Sequence, residues 1–508
     1  MRDVFAAAMV LTLSATAVFA AAPVSAAAPV SAAAPVSAAA PTAPEAKPAY
    51  WDWQPRPAMG WNSWDCYGAG VNEEQTFANA QYMAKNLLAH GYNLVTIDIQ
   101  WYEPTAHTEA YKRGAVLEMD ANGRLLPAPN RFPSTKETRS FKPIADKLHA
   151  MGFKFGLHLL RGIPRQAVDA GNVPILGTEK LKDGGIHTQD IADTNPANLC
   201  RWNFDMYGVD MTKPGAQEYY DSVFAQMAAW DLDFVKVDDL SSPYHGPEVE
   251  AIRKAIDKSG RKIVFSTSPG ATPLNTGPQV QVLANQWRIS NDFWDQWGPL
   301  QEQFKRLADW TPYRGPGHFP DGDMLPVGRL QMWRNETTAT PGRDTNFTQT
   351  ELYTLINLWC MARSPLIIGA NLPSNDEFTL QLLTNDEVLK INQYSTNNHE
   401  LKHEGDAYVW VADAEGSDNK YVALFNAPPA PPSGRGGRGA PATATAPSAM
   451  PGTLRISVSM DDLKLDPALR VANIRDLWLH RDLGPADSLA IPLDPHASAV
   501  FEIQVEKK

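Results

Sequence analysis

Two segments of the chain, DFVKVDDL (233–240) and WRISNDFW (287–294), each run from a short apolar or aromatic stretch into an aspartate. Such a stretch is of strand type and delivers its last side chains to the strand's carboxyl end. In a closed α/β barrel that end is the mouth, where residues from separate strands converge. Two carboxylates brought together there are the minimum apparatus for cleaving a glycosidic bond. Along the first segment, alternation puts Lys236 and Asp238 on one face and Val237 and Asp239 on the other. A lysine beside an aspartate keeps the carboxylate ionised. That suits a nucleophile, whereas an acid catalyst needs a raised pKa and a different setting. Asp239 is expected to face the surrounding helices or to cap the next one. Taken alone, this segment reads equally well as a buried Lys–Asp pair without chemistry.

The elements that must position these residues alternate from about Pro57 to Ser395. Strand-like runs fall at 57–64, 93–101, 153–160, 233–239, 262–268, 286–290 and 364–370. An eighth is expected near MLPVG (324–328). Runs with apolar residues at i, i+3, i+4 and i+7 lie between them, at 73–91, 141–152, 214–231 and 350–363. This predicts an α/β fold, a (β/α)8 TIM barrel over 51–395; the alternation alone also fits an open doubly wound sheet. Short alternating strands follow at 407–413, 420–426, 454–460 and 498–505, predicting a C-terminal antiparallel β-sandwich over 396–508. The Pro/Gly/Ala-rich stretch 427–452 has the composition of a disordered insertion between two of those strands.

The chain has 508 residues, with 45 basic against 57 acidic and a formal charge of −12. That balance speaks against nucleic acid, which is held by clustered Lys and Arg, and suits a neutral sugar. Fifteen tryptophans is a generous number; indole faces are platforms for sugar rings, although most of these residues are expected in the core. At the start, Arg2, the apolar run Val4 to Ala20 and the small residues Val18 and Ala20 read as a signal peptide over 1–22. The run is short for a membrane span, so none is expected in the mature protein. An APVSAA repeat then makes an extended Ala/Pro/Ser linker over 23–50. Export to the periplasm or the extracellular space follows. Cys66, Cys200 and Cys360 leave room for one disulfide and one free thiol, and none has metal-site spacing.

Six motifs in order, MGWNSWD (59–65), GYNLVTIDIQW (91–101), FVKVDD (234–239), WRISND (287–292), DGDMLPVG (321–328) and NDEVLKINQ (385–393), resemble glycoside hydrolase family 27, the α-galactosidase or melibiase family. The resemblance covers roughly Pro57 to Gln393 and implies a barrel followed by a β-domain. It also implies a retaining double displacement without metal or organic cofactor. Asp238 matches the family's nucleophile and Asp292 its acid/base; a retaining pair stands about 5–5.5 Å apart. Trp64 matches a sugar-facing tryptophan, Asp98 a hydroxyl-binding aspartate, Lys236 and Arg288 hydroxyl-binding cations, and Asp323 an aspartate at the site's edge. His158 stands where the family has tyrosine, as a hydroxyl ligand or a core histidine. Ser268 and Ala271 fall near the residues that read the sugar's 2-position, and their small size hints at room there. Trp101, Tyr102, Trp294 and Trp297 are candidate subsite walls. The stretch 161–210 has no evident family counterpart and is expected to form an enlarged loop over the mouth.

One departure bears on substrate. Where α-galactosidases read Asp-Asp after the second strand, this chain reads Asp98-Ile99. Loss of that acceptor removes a hydrogen bond to a substrate hydroxyl, which discriminates strongly. It also adds apolar bulk near the exocyclic carbon. A β-L-arabinopyranoside has the galactose ring configuration without the CH2OH arm and suits an isoleucine there. The expected substrate is an oligo- or polysaccharide with a terminal galactose-like sugar. A terminal α-D-galactoside is the default, a β-L-arabinopyranoside the second reading and an α-N-acetylgalactosaminide the third. A transglycosylase, or a carbohydrate-binding protein without catalysis, are the rivals; retention of both Asp238 and Asp292 speaks against the latter.

Overall fold

Apolar runs at Met59–Asn62 (β1), Leu94–Ile97 (β2), Lys154–Leu160 (β3), Phe234–Asp238 (β4), Val264–Thr267 (β5), Gln286–Arg288 (β6), Phe319–Asp321 (β7) and Leu366–Ile368 (β8) form parallel strands. The structure, a computed structural model, describes residues 47–430 and 452–508. The expected signal peptide, nearly all of the linker and most of the 427–452 insertion lie outside them. Hydrogen-bonded order is β7-β6-β5-β4-β3-β2-β1-β8. The ends meet through Leu325, whose N–H donates to the Ile367 carbonyl (2.7 Å) and whose carbonyl accepts from Gly369 N–H (3.0 Å). The eight strands therefore close into a barrel, and the open-sheet alternative falls.

The seventh strand lies a few residues before MLPVG, which instead supplies the closing bridge. FPD is short and carries Pro320 at its centre, so no strand signal precedes it. A proline cannot donate to a ladder. Here β7 has ladder pairing only with β6, so the missing N–H is tolerated.

Helices α1 (Glu73–Asn86), α2 (Lys142–Ala150), α3 (Ala216–Ala229), α4 (Gly246–Ser259), α5 (Gly277–Val280), α6 (Trp297–Trp310), α7 (Gln349–Ala362) and α8 (Asp386–Gln393) alternate with the strands. Capping boxes start α1 (Asn72 with Gln75) and α7 (Thr348 with Glu351). Apolar spacing of the same kind runs through α4 (Val249, Ile252, Ile256) and α6 (Leu300, Phe304, Leu307), two helices absent from the expectation. On β4 the alternation is as expected. Phe234 packs inside the barrel with Leu94, Val264 and Ile367, whereas Val235 and Val237 face the helices.

The C-terminal domain contains β9 (Ser395–Glu404), β10 (Ala407–Ala414), β11 (Lys420–Asn426), β12 (Leu454–Ser459), β13 (Leu469–Asp476), β14 (Ser488–Leu493) and β15 (Ser498–Lys507). One antiparallel sheet holds β9-β10-β11-β15-β13 and a short edge strand, and β12 pairs with β14 in a second. Val409, Val411, Val422 and Leu424 pack on Ile456, Val458 and Leu489 between the sheets. The alternate residues Tyr408, Trp410, Tyr421 and Phe425 join the core shared with the barrel. Phe304 of α6 lies 4.6 Å from Tyr408 and 5.0 Å from Phe425, ring to ring. The central strands β10 and β11 are thus covered on both faces, which is why they are buried almost throughout, whereas the outer strands β9 and β13 carry polar, partly exposed residues.

Trp297 belongs to this junction, not to a sugar wall. Its ring stacks on His496 at 3.7 Å and its Nε1–H donates to the Pro428 carbonyl at 2.7 Å. All three cysteines are buried and free, so the possible disulfide does not form. No helix among the described residues is long and apolar enough to cross a membrane. Trp297→Ala should cost about 3 kcal/mol, seen as a lower urea midpoint; an unchanged midpoint would mean the junction contributes little.

Candidate active site

The carboxyl ends of the barrel strands surround a cavity of about 350 Å³. Asp98 follows β2, Lys236 and Asp238 end β4, Arg288 ends β6, and Asp292 and Asp323 follow β6 and β7; all of them line it. The spacing of two on β4 turns Lys236 and Asp238 to the same side. Lys236 Nζ lies 3.6 Å from Asp238 Oδ1 and 3.0 Å from Asp98 Oδ2. Asp98 also accepts from Asn62 Nδ2 (2.7 Å) and from the Ile99 N–H (2.8 Å). His158, in register with Lys236 on the neighbouring strand, places Nε2 2.9 Å from Asp238 Oδ2.

Burial alone would raise the Asp238 pKa, but Lys236, then His158 and Arg288, hold the carboxyl well below the ordinary carboxylate range. Asp98 shows the same balance: burial pushes it up, and Lys236 and His158 bring it below its usual value. Lys236 is correspondingly held charged, because Asp238 and Asp98 outweigh its burial.

The other side of the cavity is organised by Arg288. Its Nη2 lies 2.6 Å from Asp323 Oδ2 and 3.2 Å from Asp292 Oδ1, with Nη1 3.4 Å from Ser268 Oγ. Asp323 adopts φ +91°, a strained region for a residue with a side chain. Its carboxylate accepts from the Phe293 (2.7 Å) and Met324 (2.8 Å) N–H groups, which holds it in place. The two aspartates expected to do chemistry have opposite surroundings. The Asp238 side chain is 8% exposed, and that of Asp292 is 61% exposed at the rim.

Trp64, Asp98, Lys236, Asp238, Arg288, Asp292, Asp323 and Trp294 all line the cavity. Ile99, His158 and Ser268 do not; each is buried directly behind the wall. His158 contacts Asp238, so its expected part as a hydroxyl ligand becomes contact with a carboxylate. Ala271 is also off the wall, where its loop contributes Pro269 and Gly270 instead. Trp101 and Tyr102 are core: Trp101 packs against Tyr102, Phe141 and Trp230 at 5.2–6.0 Å, so neither forms a subsite wall.

Among the lining residues that the sequence reading did not single out are Asp65, Tyr111 and Trp202. Tyr111 lies nearly parallel to Trp64 at 6.0 Å and 5.6 Å from Trp202, making a continuous aromatic wall. Trp202 comes from the 161–210 excursion, which carries a small sheet of Ile163–Pro164, Met206–Val209 and Ala192–Asp193. Asp239 does face the helices. With φ +65° it turns to Arg161 Nη2 (2.7 Å), and Arg161 Nη1 reaches Glu248 of α4 (2.9 Å).

Comparison with known proteins gives this arrangement a lineage. The alpha galactosidase A family model matches residues 205–394, and that of the alpha galactosidase C-terminal beta sandwich domain matches 404–503. A solved β-L-arabinopyranosidase of family 27 from Geobacillus stearothermophilus, in complex with arabinose, is 43% identical. Its TM-score is 0.80, over 90% of this chain and 99% of that one. The chain belongs to glycoside hydrolase family 27. An alpha-galactosidase of Coffea arabica is 28% identical, over 88% of this chain and 93% of its own length. Alpha-galactosidase 2 of Arabidopsis thaliana is 25% identical, over 89% and 90%. Membership makes the protein a glycosidase with a carbohydrate substrate.

The Lys236 bridge carries a pH signature. Asp98 and Asp238 have folded pKa values below their unfolded ones. Their contribution to stability is therefore present above about pH 4, the unfolded value, and is lost as pH falls below it. Lys236→Met leaves two buried carboxylates without their cation. It should cost about 3 kcal/mol at neutral pH and less below pH 4, where they protonate. Urea unfolding at two pH values checks this; an equal deficit at both would refute the bridge.

Proposed function

We propose that the protein is an exported, exo-acting, retaining glycosidase that releases terminal β-L-arabinopyranosyl residues. Asp238 is the nucleophile and Asp292 the acid/base. Buried and ionised beside Lys236, Asp238 attacks the anomeric carbon as Asp292 gives its proton to the departing oxygen. Asp292 then takes a proton from water, which displaces the sugar from Asp238. The rim position of Asp292 suits this exchange, since both the leaving group and the water arrive from solvent. Trp64 supplies a platform for the sugar ring, and Asp98, Lys236 and Arg288 hold hydroxyls, with Asp323 fixing Arg288. His158 steadies the nucleophile. Export rests on the N-terminal sequence pattern.

The observation that carries the choice of sugar is Ile99. It follows Asp98 at the position where the family resemblance places a second carboxylate in α-galactosidases; buried off the cavity wall, it offers no side-chain acceptor there, and its backbone N–H donates to Asp98. The family 27 β-L-arabinopyranosidase at 43% identity favours the same reading over the α-galactosidases at 25–28%. This reverses the order of substrates expected from the sequence. Terminal α-D-galactosides remain the second reading, favoured by those curated relatives.

Initial rates on nitrophenyl β-L-arabinopyranoside and nitrophenyl α-D-galactoside test the proposal. The parent should prefer the arabinoside. Ile99→Asp should shift the ratio of kcat/KM toward the galactoside by about tenfold or more, as expected for a hydroxyl that regains a partner; an unmoved ratio would refute the role given to Ile99. Asp238→Asn should abolish turnover of both substrates and still bind the free sugar in a calorimetric titration. Undiminished hydrolysis in that variant would remove Asp238 from the mechanism.

A further inference from the structure

Asp65 is the one cavity-lining carboxyl that neither the ion pairs nor the proposed mechanism uses. It sits at the first strand's carboxyl end, in the helical turn Trp64–Tyr67, and is 2% exposed. Its Oδ2 is buried without a hydrogen-bond partner among the described residues. One reason is Gly369, just past β8. A Cβ there would lie 2.1 Å from Oδ2, so the carboxyl packs against bare backbone. The turn itself is fixed, since the Asp65 carbonyl accepts from Gln331 N–H (2.8 Å) and the Cys66 carbonyl from Met332 N–H (2.6 Å). These bonds hold the backbone of the turn, and with it the Asp65 Cα, at the edge of the cavity.

A buried carboxyl left unpaired in its resting state is costly. An ionised one with no donors would be far more so. The surroundings act against ionisation. Burial comes first, then Asp323, with Asp292 and Asp98 adding to it, and Lys236 alone opposes them. Lys236 is already engaged by Asp98 and Asp238, and Arg288 by Asp323 and Asp292. Among the described residues, both cations that line the cavity are thus already paired.

We propose that Asp65 is a further sugar-binding residue, a neutral carboxyl that donates its proton in a hydrogen bond to a ring hydroxyl of the bound glycoside. The contact comes from the turn after the first strand, on a cavity that Asp98 also lines. The inference rests on the glycosidase reading of the cavity, and its test separates the two.

The full chain is titrated calorimetrically with L-arabinose and with D-galactose, alongside Asp65→Val and Asp65→Asn. For whichever sugar the parent binds, Asp65→Val should weaken the affinity about tenfold, the scale of one lost hydrogen bond. Its melting temperature should not fall, because an unpaired polar group has been removed. Asp65→Asn keeps a donor and should stay within about threefold. An unchanged affinity in Asp65→Val, or an equal loss in both variants, overturns the inference and leaves the cavity reading intact. A parent that binds neither sugar overturns both. Should Asp65→Val not fold, infrared difference spectra of parent and Asp65→Asn at neutral pH decide the matter. A protonated-carboxyl band that shifts when sugar binds and is absent from Asp65→Asn supports the assignment; no such band overturns it.

Discussion

The geometry of the cavity hangs on one ammonium group. Lys236 Nζ is drawn between Asp98 from the second strand and Asp238 from its own. Each of these three groups would be untenable alone at its depth, since an unpaired buried charge costs several kcal/mol or forces neutralisation. Together they fix one another. The barrel contributes the register that makes this possible: alternation on β4 sends Phe234, Lys236 and Asp238 inward in succession, and β3 brings His158 level with Lys236. A one-residue slip would turn the lysine and the aspartate into the helical layer. Arg288 performs the same service opposite, holding Asp323 and reaching Asp292.

A second charged cluster lies behind the first. The Arg161 N–H donates to the Asp238 carbonyl (2.9 Å), and its guanidinium reaches Asp239 and Glu248. Glu248 in turn accepts from the Val209 N–H (2.9 Å) at the far end of the excursion. The segment that carries Trp202 is therefore tied at both ends to residues beside Asp238. This gives a physical reason for a second acidic residue right after Asp238. It anchors the aromatic wall, and its left-handed backbone turns it away from the sugar side.

Much of this was legible in advance, and the misses have physical causes. Apolar runs and helical spacing located seven barrel strands, four helices and four strands of the β-domain, because each of them buries apolar surface. The strand FPD was invisible, since three residues with a central proline carry no period. The ordered motifs brought Trp64, Asp98, Lys236, Asp238, Arg288, Asp292 and Asp323 to one cavity. Lone aromatics were another matter. Trp101 and Trp297 went to the core and the domain junction, while Tyr111 and Trp202 formed the wall, because a tryptophan's fate depends on loop paths that spacing does not encode. Asp65 closes the motif MGWNSWD, where nothing in its spacing marks it as unpaired. Only the coordinates show that it packs against the bare backbone at Gly369 and that its Oδ2 is left without a partner.

The proposed exo action follows from what closes the cavity below. Ala58, Leu94, Phe234, Val264 and Ile367 fill the barrel's interior with apolar side chains, as barrel interiors generally are filled. The inner end of the cavity is therefore blind, and above that plug lie the polar and charged side chains of the site. A polymer cannot thread through such a hole. It can only lower a terminal ring into it, with the scissile oxygen left near the rim, where the exposed Asp292 stands. Asp238, buried and held ionised by Lys236, lies below and the solvent-facing Asp292 above, and the depth of the hole supplies the difference between them.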